Sequence, residues 1–112
     1  MDNLIEEAKR LKEEGRLDEA VTTLKRAIEI NIDDANAYFQ LGLVYFDKQD
    51  YAEAKKVLTV AAGLNPSNAL IYYTAGRVCH AMGDKEGVQI MHMALIIADP
   101  AMSRKLADET TE

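Results

Sequence analysis

The sequence predicts an all-α fold made of helical hairpins that repeat along the chain. Three observations carry this. First, small and helix-breaking residues recur at a step of 34: Gly42 and Gly76; Pro66 and Pro100; Ala20, Ala54 and Val88; Ala27, Ala61 and Leu95. A period shared by independent positions marks a repeat architecture. Second, apolar residues recur at intervals of three and four, as in Tyr38, Leu41 and Tyr45 or Val57, Leu58, Ala61 and Leu64, which is helical spacing. Third, no segment shows the two-residue alternation of a half-buried strand.

The elements follow in order. A first helix is expected over 2–14, with Leu4, Ala8 and Leu11 on one face, and Gly15-Arg16 ends it. A second over 18–31 carries Ala20, Leu24 and Ala27. The third, 35–48, carries Tyr38, Leu41, Gly42 and Tyr45 and stops at Gln49-Asp50. The fourth, 51–63, runs into Asn65-Pro66-Ser67-Asn68, where proline breaks the chain. The fifth, 68–82, ends at Gly83-Asp84; the sixth, 85–98, ends at Asp99-Pro100; a short seventh is expected over 101–109. Asp18, Asp50 and Asp84 stand where they can cap the helices that follow them. Gly42 and Gly76 fall in mid-helix, where glycine costs about 1 kcal/mol relative to alanine. Such a cost is tolerated where a neighbouring helix must come close, and Ala20 and Ala54 are small for the same reason.

Composition narrows the function. At 112 residues the chain is one domain. With 48% hydrophobic and 29% charged residues it has the make-up of a folded protein. Its net charge of −6 makes it a poor ligand for a phosphate backbone, so no nucleic-acid partner is expected. The single cysteine, Cys79, allows neither an internal disulfide nor a thiolate metal cluster. No apolar run approaches the roughly 20 residues of a membrane span, so no membrane insertion is expected. Met1-Asp2-Asn3 leads directly into a charged helical pattern rather than a signal peptide, which makes the cytoplasm the expected compartment.

The middle repeat, residues 35–68, has Tyr38, Leu41, Gly42 and Tyr45 in its first helix and Ala54, Leu58, Ala61 and Pro66 in and after its second. This pattern resembles the tetratricopeptide repeat family, with Tyr38 for the usual Trp and Leu58 for the usual Phe. The first repeat keeps Leu4, Ala8, Leu11, Ala20, Leu24 and Ala27 but has Glu7 for the Leu and Ile32 for the Pro, which suits an end repeat. The third keeps Tyr72, Ala75, Gly76, Cys79, Val88, Leu95 and Pro100, with His92 where the Phe is expected. The resemblance implies a right-handed superhelical array of three helix-turn-helix repeats, about 1–34, 35–68 and 69–102. After it comes a polar C-terminal tail, 103–112, or a short capping helix.

In that family the first helix of each repeat lines a concave groove. Carried over, the middle repeat offers Asn36, Phe39, Leu43, Phe46 and Asp47. The third offers Leu70, Tyr73, Arg77, His80 and Ala81, and the first Asp2, Ile5, Lys9, Lys12 and Glu13. Spacing alone also singles out Phe39, Leu43 and Phe46, which share one helical stripe distinct from that of Tyr38, Leu41 and Tyr45. The candidate binding residues are therefore Phe39, Leu43, Phe46, Leu70, Tyr73, Arg77 and His80. Arg77 suits a carboxylate or phosphate. The family's two-lysine, two-asparagine, one-arginine clamp for chaperone tails is not reproduced, because Ile5 and Leu43 stand at two of its places.

No catalytic or metal-binding constellation is legible. His80 and His92 belong to no ligand-spaced pair. Cys79 and its neighbour His80 diverge on a helix, and Met91, Met93, Ile96 and Ile97 read as packing residues on the sixth helix. A non-enzyme without cofactors is expected: an interaction module that takes a peptide or protein segment in its groove. The alternative is a structural piece that self-associates, as a homodimer, through the apolar sixth helix, where Val88, Ile90, Met91, Met93, Leu95, Ile96 and Ile97 crowd together.

Overall fold

Local chemistry sets the helix boundaries. In the computed structural model, which describes residues 3–111, the helices are α1 (Asn3–Glu13), α2 (Leu17–Ile30), α3 (Ala35–Asp47), α4 (Tyr51–Leu64), α5 (Ala69–Met82), α6 (Lys85–Ala98) and α7 (Pro100–Thr110). The expected start of the first helix at Asp2 lies outside the described residues. Among the described residues, side-chain oxygens cap four of the helices by accepting backbone N–H bonds: Asp34 on α3, Asn68 on α5, Asp84 on α6 and Asp99 on α7. Pro100 occupies the first position of α7, where its missing N–H costs nothing. Two expected caps act otherwise. Asp50 stands before α4 without bonding an N–H, and Asp18 lies inside α2, where it pairs with Lys48 of the next repeat.

Within each repeat the two helices are joined by the same closing motif. The N–H groups of Gly15, Gln49 and Gly83 bond the carbonyls of Lys12, Phe46 and His80, and those of Arg16, Asp50 and Asp84 bond Leu11, Tyr45 and Cys79. All three central residues hold left-handed backbone, with φ of 78°, 63° and 76°. Two are glycine, which adopts it freely; Gln49 does not have that freedom.

The layering follows from which helices touch. Each hairpin packs internally, and α2, α4 and α6 each lean on the first helix of the next unit. In addition α1 touches α3, α3 touches α5 and α5 touches α7, whereas α2, α4 and α6 do not touch one another among the described residues. The odd layer is therefore the closely spaced, inner one and the even layer the splayed, outer one. A continuous core of Ala8, Leu24, Val44, Ala54, Leu58, Ile71 and Val78 runs between the two.

The tight positions behave as expected in the first two repeats: Ala20 and Ala54 are fully buried. A side chain on Gly42 would lie 2.6 Å from Leu58 Cγ. The third repeat departs from this. Val88, in register with Ala20 and Ala54, is only half-buried, and Gly87 beside it makes the close approach instead, to the Cys79 sulfur. Valine is too large for the crossing, so α6 turns its neighbouring glycine inward. His92, in register with Leu58, also leaves the core; its Nε2 lies 3.2 Å from Ser103 Oγ. The space over Gly76 is filled by Leu106 of α7.

The residues expected as a polar tail thus lie largely in α7, which continues to Thr110 and packs on both α5 and α6. Leu106 and Ser103 are buried and Met102 is half-buried against the same cluster. Burying Leu106 contributes about 1.5–3 kcal/mol by removing it from water.

Candidate inner-face site

Three registers run across the inner layer, each with one residue per repeat. Ile5, Phe39 and Tyr73 form the first, and they are 6%, 8% and 8% exposed. Phe39, read from the sequence as groove-lining, therefore belongs to the core, and Tyr73 is buried with it. The reason is the close spacing of the odd helices: a stripe facing the next odd helix becomes a seam between them. Helix α3, in the middle of the array, is consequently buried on several sides, through Ala37, Phe39, Leu41, Val44 and Tyr45, with Tyr38 only half-buried.

The other two registers remain open. Lys9, Leu43 and Arg77 form one; Lys12, Phe46 and His80 form the other. Leu43 and Phe46 are half-buried, Arg77 and His80 are exposed, and Leu70 is exposed at the start of α5. The Arg77 guanidinium carbon lies 5.3 Å from the centre of the Phe46 ring and 5.9 Å from that of Tyr73. Such cation–π contacts hold a guanidinium against aromatic faces while its N–H groups stay available. Phe46 also contacts Tyr51, whose ring centre is 5.7 Å away. An apolar middle is thus flanked by Lys9 and Lys12 at one end and Arg77 and His80 at the other. Acidic neighbours are present too: Glu6 pairs with Lys9 at 3.2 Å, and Glu13 and Asp47 lie along the rim.

Helix α7 closes the Arg77 end. Phe46, Arg77, His80, Ala81, Glu109 and Thr110 line one shallow recess. The Tyr73 hydroxyl donates to the Glu109 carboxylate, and Arg77 Nε lies 4.0 Å from the same carboxylate oxygen. Lys105 stands 5.2 Å over the Tyr73 ring. Burial first, and then the bond to Glu109, push the Tyr73 phenol above its ordinary pKa. Lys105 and Glu109 were not legible as site residues from sequence. The available signals were Asp99-Pro100, which starts a helix, and Met102 and Leu106 four apart, which face it inward.

The remaining chemistry-bearing groups are placed differently. Cys79 is fully buried, and burial raises its thiol pKa, which disfavours the nucleophilic thiolate. Among the described residues, no three His, Cys, Asp or Glu side chains cluster to hold a metal ion. Among the described residues, no helix is long and apolar enough to cross a membrane.

A second surface lies on the outer layer. Equivalent exposed positions read Thr22, Lys25 and Glu29 on α2; Lys56, Thr59 and Gly63 on α4; and Ile90, Met93 and Ile97 on α6. The outer face thus turns from polar to apolar along the array, and Ile97 is 88% exposed.

Comparison with known proteins agrees with this architecture. The family description "TPR repeat" matches residues 8–49 and "Tetratricopeptide repeat" matches 35–68. No curated protein sequence matches the chain. Among solved structures, it is similar to the first TPR of Spaghetti (RPAP3) bound to the HSP90 peptide SRMEEVD, at 19% identity and a TM-score of 0.83, covering 95% of this chain and 89% of that one. It is also similar to MamA, at 23% identity and a TM-score of 0.84, covering 96% of this chain and 67% of that one.

Proposed function

We propose that this chain, which belongs to the tetratricopeptide repeat family, is a protein-interaction module whose inner face takes a peptide segment of a partner. The observation that carries the reading is the pair of open registers: Leu43 and Phe46 remain accessible between Lys9 and Lys12 on one side and Arg77 and His80 on the other. A concave apolar strip with a few polar groups at its ends is the usual make-up of a recognition surface. That the similar RPAP3 domain is bound to a peptide supports the same mode here. The available surface is at the small end of specific interfaces, so an affinity of order micromolar is expected. Leu70, on the edge of α5, extends the strip. Nothing in this reading calls for a cofactor or a catalytic step.

The test is affinity capture from the native cell, compared between wild type and a Leu43→Asp, Phe46→Ala double variant. Partners specific to the inner face should drop roughly tenfold or more, while circular dichroism keeps its helical signal. Equal recovery by a folded double variant would move the binding site elsewhere.

One observation favours a second reading, self-association through α6. Ile90, Met93, Ile96 and Ile97 are all exposed on the outer face, and contiguous apolar patches usually mark contact sites. Sedimentation equilibrium separates the two. A dimer that dissociates in Met93→Lys supports stacking, and a 12.4 kDa species at every concentration removes it.

A further inference from the structure

Glu109 sits where an incoming anion would be expected to sit. The inner face carries the exposed or half-buried cationic side chains Lys9, Lys12 and Arg77, with Lys105 of α7 beside them, in a chain whose net charge is −6. Arg77 lies against two aromatic rings, Phe46 and Tyr73. Its Nε and the Tyr73 hydroxyl converge on one carboxylate oxygen of Glu109. That carboxylate comes from the last turn of α7. Leu106 anchors the helix one turn earlier, and beyond Thr110 the backbone is extended at Thr111. Glu109 itself remains 40% exposed on its side chain, so its contacts are polar rather than packed.

We propose that the last turn of α7 is a built-in occupant of the inner face, in which Glu109 holds the place of a partner's carboxylate and an acidic segment competes with it for Arg77 and Tyr73. The inference rests on the inner-face reading and deepens it by naming the partner chemistry: an acidic segment with apolar residues to meet Leu43 and Phe46. The energetics allow exchange. An exposed Arg–carboxylate pair contributes little to stability, and a helix end opens more readily than the core. A competing carboxylate would take over the Tyr73 hydroxyl donor and the attraction of Arg77, and the freed turn would carry the negative charges of Asp108 and Glu109 away from it.

The experiment uses the full chain and needs no identified partner. Hexaglutamate is titrated into 15N-labelled wild type, Glu109→Gln and Tyr73→Phe, and the Arg77 Nε–H resonance is followed by NMR. Amide hydrogen exchange of residues 105–110 is measured without ligand. The expected result is faster exchange of those amides in both variants and at least threefold tighter hexaglutamate binding at Arg77 in Glu109→Gln. Tyr73→Phe keeps the buried ring and so guards against a folding defect. Unchanged exchange in both variants overturns the proposal, because the contact then holds nothing closed. Equal affinity of wild type and Glu109→Gln overturns it also, because Glu109 then competes with nothing. Absence of any Arg77 shift in all three chains overturns the acidic-ligand claim, while the inner-face reading stands or falls separately by the capture experiment with Leu43→Asp, Phe46→Ala.

Discussion

Leu106 closes over Gly76: a methyl group added to that glycine would lie 2.6 Å from Leu106 Cδ2. The contact has the form of the one between Gly42 and Leu58, but it is made by a helix outside the three repeats. It exists because His92 occupies the register of Leu58 and turns towards Ser103. Leu106→Ala should therefore behave as a core truncation, lowering stability by about 2–5 kcal/mol in urea denaturation. A loss below about 0.5 kcal/mol, the usual range of a surface change, would mean that α7 is not an integral cap.

Gln49 holds left-handed backbone at a place where the other two repeats have glycine. That conformation costs a residue with a Cβ about 1–2 kcal/mol. Gln49→Gly should raise the thermal midpoint by an amount corresponding to about 1 kcal/mol, whereas Gly15→Ala and Gly83→Ala should lower it. The three variants measured side by side test the equivalence of the turns. A destabilised Gln49→Gly contradicts it.

Phe39 and Phe46 look alike in sequence and should act differently. Phe39 is in the seam between the odd helices, so Phe39→Ala should cost about 3–5 kcal/mol and unfold a chain of this size readily. Phe46 is half-buried under Arg77, and Phe46→Ala should leave a folded, helical chain. Equal melting temperatures for the two variants would remove the distinction between seam and open register.

The helices were largely legible because each depends on local chemistry, the 34-residue step and the turn residues; of the three expected caps only Asp84 bonds a helix N–H. The open and closed registers were not legible. Helical spacing puts Phe39, Leu43 and Phe46 on one stripe, but how much of that stripe is covered depends on how closely α1, α3 and α5 approach one another, which spacing does not specify. Tyr73 is covered for a further reason, the arrival of α7. The turned α6 was hidden for the opposite cause: Val88 keeps the register of Ala54, and only the crowding at the crossing shows that Gly87 must take its place.

Asp84 joins two repeats. Its carboxylate caps α6 through the Gly87 N–H and receives Lys55 of the preceding repeat at 3.0 Å. The backbone bond first, and then Lys55, hold its pKa below the ordinary aspartate value. A carboxyl depressed in the folded state lends stability that is present above the unfolded pKa, about 4, and lost as the pH falls through the folded value. Asp84→Asn should therefore be less stable than wild type at neutral pH, and the gap should close on acidification. Urea midpoints between about pH 2 and 7 report this directly; a gap constant with pH would show that the ionised form is not what stabilises the junction.

The most direct test of the inner-face account is hydrogen exchange of the complex with a captured partner, compared residue by residue with the free chain. The account predicts slower exchange along the inner helices α3 and α5, around Leu43, Phe46 and Arg77, with faster exchange in the last turn of α7 around Glu109. Protection confined to α6, around Ile90, Met93 and Ile97, with α3 and α5 unchanged, would contradict it.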